Sequence, residues 1–164
     1  AIATIISATK SLNYPSLLHD IVAKYGNKQV NVLKILRKEC TKRGLKCRQI
    51  NINKAKETVI KNRMMVGSFN LNKEQWRKFS TYFKGHKKTA ILTREMLKVT
   101  TTKTKTSIHH HAHAVCIIGF SESDNCWMIK NSFGDKWTEH RYFKIKLEAI
   151  PEMSFFDVSY NRGF

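Results

Sequence analysis

The chain has 164 residues, which suits one domain of ordinary size or two small lobes that share an interface. Its hydrophobic content of 41% allows a buried core and excludes an intrinsically disordered chain, and no apolar run reaches the ~18 residues of a membrane span. The formal charge of +18 predicts unspecific attraction to polyanions, although the basic residues form no nucleic-acid-binding motif.

Apolar spacing predicts three helices within residues 1–44. The first covers residues 2–11 and is broken before Pro15. The second begins at the N-cap residue Ser16 and stops at Gly26, and the third runs from about Gln29 to Lys42. These three helices make the start of the chain its helical part.

Shorter elements alternate in the middle of the chain. The patterns predict a strand, a helix, a strand and a helix in turn, at residues 46–52, 54–62, 64–70 and 73–84. Asn72 is the predicted N-cap of the last helix. Its aromatic residues Trp76, Phe79, Tyr82 and Phe83 face one way, which is typical of core packing.

The last third of the chain is β-like. After the Thr/Lys-rich segment 99–107, a hairpin is predicted, and two further strands follow it; these strands cover residues 114–118, 126–129, 142–147 and 155–160. Helices first and strands later predict the α+β class. The predicted division is a helical lobe of residues 1–60, incomplete at its N-terminus, and a β-rich lobe of residues 61–164.

The hairpin brings two chemically useful side chains together. His113 stands at the start of its first strand, and Asn131 stands just past the end of its second strand. A strand–turn–strand unit folds these positions back beside one another. An amide oxygen that accepts from one imidazole nitrogen fixes the tautomer and orientation of the ring, so the pair is a candidate catalytic site.

The motifs around this pair resemble the C-terminal part of papain-like cysteine peptidases. The matching residues are His113-Ala114-Val115, Lys130-Asn131-Ser132-Phe133-Gly134, Trp137 and Tyr142-Phe143. The family carries tryptophan where this chain has Phe133, and glycine where it has Thr138 and Arg141. The strong motifs cover about a fifth of the chain.

This resemblance implies a fold, a reaction and a set of roles. The fold is a helical lobe followed by a β-barrel-like lobe, with a cleft between them. The reaction is hydrolysis of a peptide bond in a polypeptide substrate, without a cofactor. His113 matches the catalytic histidine and Asn131 the residue that orients it, whereas Phe133 and Trp137 match the aromatic cover of that pair.

The cysteine nucleophile of such a site is absent from these residues. In the family it stands at the start of the first long helix, where the helix dipole and an imidazolium lower the thiol pKa. Residues 2–10 resemble the body of that helix, which places the nucleophile just before Ala1. Two alternatives remain: a peptidase whose cysteine lies upstream, or a catalytically inactive module that binds a partner protein or a polyanion.

The remaining cysteines and histidines have less specific patterns. Cys40 with Cys47, and Cys116 with Cys126, either form disulfides or are buried thiols. His109, His111 and His113 alternate along one strand face, which suits weak Zn²⁺ binding. Because a metal would occupy the histidine that the peptidase chemistry needs, no metal site is assigned.

Overall fold

The structure is a computed structural model that describes residues 1–26, 31–82, 90–99, 110–131 and 142–160. Its helices are α1 (Ile2–Lys10), α2 (Tyr14–Tyr25), α3 (Val32–Thr41), α4 (Ile52–Ile60), α5 (Lys73–Tyr82) and α6 (Arg94–Leu97). Its strands are β1 (Leu45–Ile50), β2 (Met65–Asn72), β3 (Ile91–Leu92), β4 (His110–Ser121), β5 (Cys126–Lys130), β6 (Tyr142–Lys146) and β7 (Ser154–Tyr160). Within these ranges no helix is long and apolar enough to cross a membrane.

The strands form one seven-stranded sheet in the order β1-β7-β2-β4-β5-β6-β3. All neighbours pair antiparallel except β3 and β6, which are parallel. The predicted α+β class is confirmed. The sheet is open rather than closed into a barrel, because β1 and β3 are edge strands among the described residues.

Side chains alternate between the two faces of the sheet and build two hydrophobic clusters. The first cluster includes Phe69, Val115 and Ile117, and it is covered by α4 and α5. The second includes Val66 and Cys116, and it is covered by α1, α2 and α3. The helical layer and the sheet therefore share a core. The division at residue 60 remains a prediction, and β1 from its first part pairs with β7 from its second.

Asparagine side chains start the helices of this layer. Asn13, rather than the predicted Ser16, caps α2, because its Oδ1 accepts the backbone N–H of Ser16 at 3.1 Å. Asn31 and Asn51 cap α3 and α4 in the same way. Each cap satisfies a backbone donor that the helix itself leaves without a partner.

The first hairpin strand is longer than predicted. It continues past Gly119 to Ser121 because a β-bulge between Ile117 and Gly119 shifts the register against β5. A Cβ at Gly119 would lie 2.2 Å from Met128 Cε, so a larger residue there would require the flexible end of the Met128 side chain to move. The other end of β4 reaches back to His110 and includes the predicted catalytic histidine.

Candidate active site

Strands β4 and β5 place His113 and Asn131 on the same face of the sheet. Ile117 pairs with Ile129 in the hairpin. His113 lies four residues before Ile117, and Asn131 lies two residues after Ile129, so both follow the even spacing of that face. The hairpin thus brings together the two side chains that the sequence predicted to meet.

The two side chains are joined by a buried hydrogen bond. His113 Nε2 lies 2.9 Å from Asn131 Oδ1, and the two residues are 8% and 4% exposed. Because an amide oxygen only accepts, Nε2 carries the proton and Nδ1 of the neutral ring carries the lone pair. The pair therefore holds an imidazole in one tautomer and in one orientation.

Three aromatic residues, Phe69, Trp76 and Phe79, enclose the His113 ring. Their ring centroids lie 5.5, 5.3 and 6.1 Å from that of His113, and each presents an edge-to-face geometry. Phe69 is opposite His113 in the β2–β4 pairing, and the other two come from α5. This aromatic enclosure keeps water away from the imidazole.

A reciprocal cap fixes the start of α5 directly after β2. Asn72 Oδ1 accepts the Gln75 backbone N–H at 2.9 Å, and Gln75 Oε1 accepts the Asn72 N–H at 3.1 Å. The predicted cap at Asn72 is confirmed. Because β2 also pairs with β4, this cap sets the position of Trp76 over the histidine strand.

Burial lowers the pKa of His113 to about 4, because the apolar enclosure disfavours the imidazolium. The hydrogen bond that His113 donates to Asn131 opposes this shift. His113 is therefore neutral near pH 7 and is a base rather than a fixed charge. Helix α1 contacts β4, because Ala1 and Ala114, the residue after His113, both pack against the second hydrophobic cluster.

The predicted aromatic cover and one histidine of the cluster lie in segments that the structure does not describe. Phe133, Trp137 and His109 lie outside the described residues. His111 is exposed and stacks on Trp76, with centroids 5.4 Å apart and an interplanar angle of 12°. In the described ranges no group of three or more possible ligands could hold a metal ion.

The four cysteines lie elsewhere in the fold and are free thiols. Cys116 is on β4 but belongs to the second hydrophobic cluster, on the opposite face from His113. Cys126 pairs with Ser121 and Cys116 with Lys130, so the hairpin register keeps these two thiols apart and the considered disulfide does not form. Burial raises the pKa of both Cys116 and Cys126.

The sequence profile described as "papain family cysteine protease" matches residues 9–154, which is most of the chain. The chain belongs to the papain family. This membership confirms the resemblance seen in the motifs around His113 and Asn131. It extends the similarity from those motifs to the helical part of the chain.

Two relatives show how this papain-family chain compares with longer proteins. An uncharacterized peptidase C1-like protein of Acanthamoeba polyphaga mimivirus is 40% identical over 40 residues, which is 24% of this chain and 13% of the viral protein. Xylellain, a cysteine protease from Xylella fastidiosa, has 17% identity and a TM-score of 0.45, over 71% of this chain and 40% of xylellain. The chain thus spans less than half the length of either relative.

The candidate site contains contacts that the sequence patterns do not reveal. The spacing of Trp76 and Phe79 predicts core packing, yet both rings also contact His113. No sequence pattern assigns Phe69 to the site. Phe69 and Leu71 are two residues apart, so strand alternation predicts that they share one face of β2. The pairing of Phe69 with His113, however, depends on the register of two strands that are distant in sequence.

Proposed function

We propose that this chain supplies the base and its orienting residue to a Cys-His-Asn peptidase site, with a nucleophilic cysteine just before Ala1. The observation that carries the proposal is the buried 2.9 Å hydrogen bond between His113 Nε2 and Asn131 Oδ1. It leaves the lone pair on Nδ1, the nitrogen that would accept a thiol proton. The substrate would be a polypeptide.

The proposed reaction uses His113 twice. Its Nδ1 accepts the thiol proton, and the thiolate attacks the carbonyl carbon of the scissile amide. The imidazolium then protonates the leaving amine, and a thioester remains on the cysteine. Water hydrolyses this thioester with His113 again as the base. Asn131 keeps the ring oriented in both steps, and none of these steps requires a cofactor.

The position of α1 supports an upstream nucleophile. Helix α1 contacts β4, and Ala1 packs against the same hydrophobic cluster as Ala114, the residue after His113. A thiol at a helix N-terminus is acidified by the partial positive charge of that end. A neighbouring thiolate would in turn raise the pKa of His113, because opposite charges stabilise one another.

The aromatic residues would protect this chemistry from water. Phe133 and Trp137 are proposed as a cover of the His113–Asn131 bond on the basis of the motif alone. Phe69 and Trp76 add an enclosure whose contacts with His113 are described above. A dry site strengthens the hydrogen bond that holds the imidazole in its orientation.

The test begins with the residues encoded before Ala1. We expect a cysteine within a few residues of Ala1, preceded by a glutamine that would help to stabilise the oxyanion. The extended protein should then react with a cysteine-directed epoxide probe. His113→Ala should reduce the labelling rate about 100-fold or more.

His19→Ala is the matched control, because His19 is exposed on α2 and should label like wild type. Labelling of His113→Ala at the wild-type rate would refute the role given to His113. If another residue stands at the nucleophile position, the second candidate function is supported instead.

The second candidate is an inactive papain-family module that binds a partner through its basic surface. The chain has 30 Lys and Arg against 12 Asp and Glu. Lys46, Arg48 and Arg63 line one groove of about 830 Å³ between α1 and the edge of the sheet. A groove with several cations attracts anionic polymers by long-range electrostatics.

Binding of heparin to the chain measures this second function. The affinity for heparin should fall steeply as the salt concentration rises. The double variant Lys46→Gln, Arg48→Gln should bind heparin more weakly than the control double variant Lys54→Gln, Lys61→Gln, whose residues lie on and beside α4. Affinity that does not change with salt would exclude a charge-driven mode. Equal loss in both double variants would exclude the groove as the binding surface.

A further inference from the structure

Two cysteines flank the turn that connects α3 to β1. Cys40 is in the last turn of α3, and Cys47 is the third residue of β1. The connection between the elements passes through Gly44, whose φ of 67° lies in the left-handed region that glycine adopts without strain. The turn brings both cysteines to the second hydrophobic cluster, in which Cys40 is buried and against which Cys47 packs.

The two thiols differ in their access to solvent. Cys40 is 1% exposed within the second hydrophobic cluster, whereas Cys47 is half-buried at the margin of that cluster. Cys47 also lines a cavity of about 520 Å³, which we call the thiol cavity. A small reagent can therefore reach Cys47 before it reaches Cys40.

The thiol cavity is cationic. Arg37, Lys46 and Arg48 contribute to its wall, together with Thr41, Gly44 and Leu45. Its interaction with Cys40 lowers the pKa of Cys47, and the charge of Arg37 lowers it further, against the effect of burial. The same interaction, together with burial, raises the pKa of Cys40. A reactive cysteine typically combines such a cationic setting with partial exposure.

The other two thiols lack this setting. Cys116 and Cys126 are 1% and 0% exposed, and burial raises the pKa of each. Both are therefore expected to be inert small apolar side chains. They serve as internal references for the reactivity of the pair in the same molecule.

We propose that Cys40 and Cys47 are a reversible thiol–disulfide couple, with Cys47 as the thiol that reacts first with an anionic low-molecular-weight disulfide. The couple lies on the second cluster, apart from the His113–Asn131 pair on the first. It does not depend on the proposed peptidase activity. The thiol cavity accommodates the incoming disulfide, and its cations suit the carboxylates of a molecule such as oxidised glutathione.

The chemistry proceeds by two exchanges. The Cys47 thiolate attacks one sulfur of the small disulfide, and the other sulfur leaves as a thiolate. Cys40 then loses its proton, attacks the Cys47 sulfur and expels the second small thiolate. The protein is oxidised by two electrons, the small disulfide is reduced to two thiols, and the two protons end on those thiols. The product links the end of α3 to β1.

Peptide mapping after exposure to oxidised glutathione tests the couple in the folded chain. We expect a Cys40–Cys47 disulfide with the loss of two hydrogen masses. Cys116 and Cys126 should stay reduced and should react with an alkylating reagent only after the protein is unfolded. Cys40→Ala should instead accumulate glutathione on Cys47, because the resolving thiol is missing. Cys47→Ser should take up none at Cys40.

Circular dichroism verifies that each variant is folded, and the wild-type map decides the question if Cys40→Ala does not fold. A folded wild-type protein whose Cys40 and Cys47 both stay reduced would overturn the proposal. Equal or faster reaction at Cys116 or Cys126 would overturn it too.

A second experiment tests the cationic wall. Arg37→Gln should slow the reaction of Cys47 several-fold with the anionic reagent 5,5′-dithiobis(2-nitrobenzoate), and much less with neutral 4,4′-dithiodipyridine. Lys34→Gln is the matched control, because Lys34 is also on α3 but does not line the thiol cavity. Equal slowing with both reagents, or by both variants, would contradict the role of Arg37 in attracting the disulfide.

Discussion

Two buried polar sites, one around Glu39 and one around His113, show opposite ways of holding a titratable group inside this protein. Glu39 is 2% exposed on α3 and accepts from Lys24 and Tyr25 of α2 at 2.8 and 2.7 Å. Arg43 adds a contact at 2.5 Å from the turn after α3. The carboxylate is thus surrounded by donors, two of them cationic.

His113 is also buried, with 8% of its surface exposed, but it has a different environment. Asn131 is a neutral partner, and Phe69, Trp76 and Phe79 supply apolar edges. At Glu39 the donors outweigh burial and lower the pKa to about 2, so that the charged form is kept. At His113 burial outweighs the hydrogen bond and lowers the pKa to about 4, so that the neutral form is kept.

The contrast separates a group that holds elements together from a group suited to proton transfer. A carboxylate that accepts from three side chains ties α2 to α3 and is costly to neutralise. A neutral imidazole with one fixed tautomer can still accept a proton when a thiolate or a leaving group requires it. Variants that remove one partner at a time should make this difference measurable.

The largest effect should come from Glu39→Gln. This change removes the negative charge while Arg43 stays largely buried, so we expect the free energy of unfolding to fall by about 3 kcal/mol. Urea denaturation measures it. Glu57→Gln is the control, because Glu57 is exposed and its pair with Lys54 should contribute less than about 0.5 kcal/mol. Similar losses in both variants would show that the Glu39 network contributes little.

The two sites should also lose stability in different pH windows. His113 titrates near 6.5 when unfolded and about 4 when folded, so the unfolded state binds its proton first as pH falls. Stability should therefore decrease between pH 6.5 and 4, by roughly 3 kcal/mol at most. For Glu39 the same reasoning gives a loss between pH 4.5 and about 2.

Urea denaturation of wild type and His113→Gln across both windows measures these losses. The variant should lack the loss between pH 6.5 and 4 and should keep the loss at lower pH. A constant difference between the two proteins from pH 6.5 to 4 would contradict the folded-state pKa of His113.

The sequence predicted one of these sites and missed the other, for a physical reason. His113 and Asn131 lie on one hairpin, where period-two alternation and a short turn already bring them together. The partners of Glu39 come from a separate helix, and the crossing of α2 and α3 depends on packing that no local pattern encodes. The same holds for Trp76, whose place beside His113 follows from the pairing of β2 with β4.

Element types were predicted better than element ends. The α+β class and the helices with strong apolar spacing are confirmed, but β4 extends beyond Gly119 through a bulge. The cap of α2 is at Asn13 rather than Ser16, since several residues there have side chains suited to capping. Such details depend on contacts between strands and on competition among neighbouring polar residues.

A smaller change should follow from Asn131→Ala. Loss of the buried acceptor should lower the free energy of unfolding by about 1–2 kcal/mol. Because the hydrogen bond raises the pKa of His113, its removal should lower that pKa further. Proton NMR titration of the His113 ring measures the shift. Asn70→Ala, at an exposed position of β2, is the control and should leave the pKa unchanged. An unchanged pKa in Asn131→Ala would refute the coupling.

The smallest effect is expected for Trp76→Leu, and its sign is the informative part. Trp76 is half-buried and presents its ring to His113 at 5.3 Å. A smaller side chain admits water, so the pKa of His113 should rise, by an amount equivalent to less than about 1.4 kcal/mol. Trp76→Phe keeps an aromatic edge, so the pKa of His113 in this variant should stay close to its wild-type value.

Asn131→Ala and Trp76→Leu should thus move the same pKa in opposite directions, since one removes a hydrogen bond that favours the charged ring and the other removes burial that disfavours it. If both variants lower the pKa, the aromatic enclosure does not act by excluding water. The contrast with Glu39 would then rest on the hydrogen-bond partners alone, because both sites are similarly buried. A rise in Trp76→Leu would establish that the apolar rings are what keep His113 neutral.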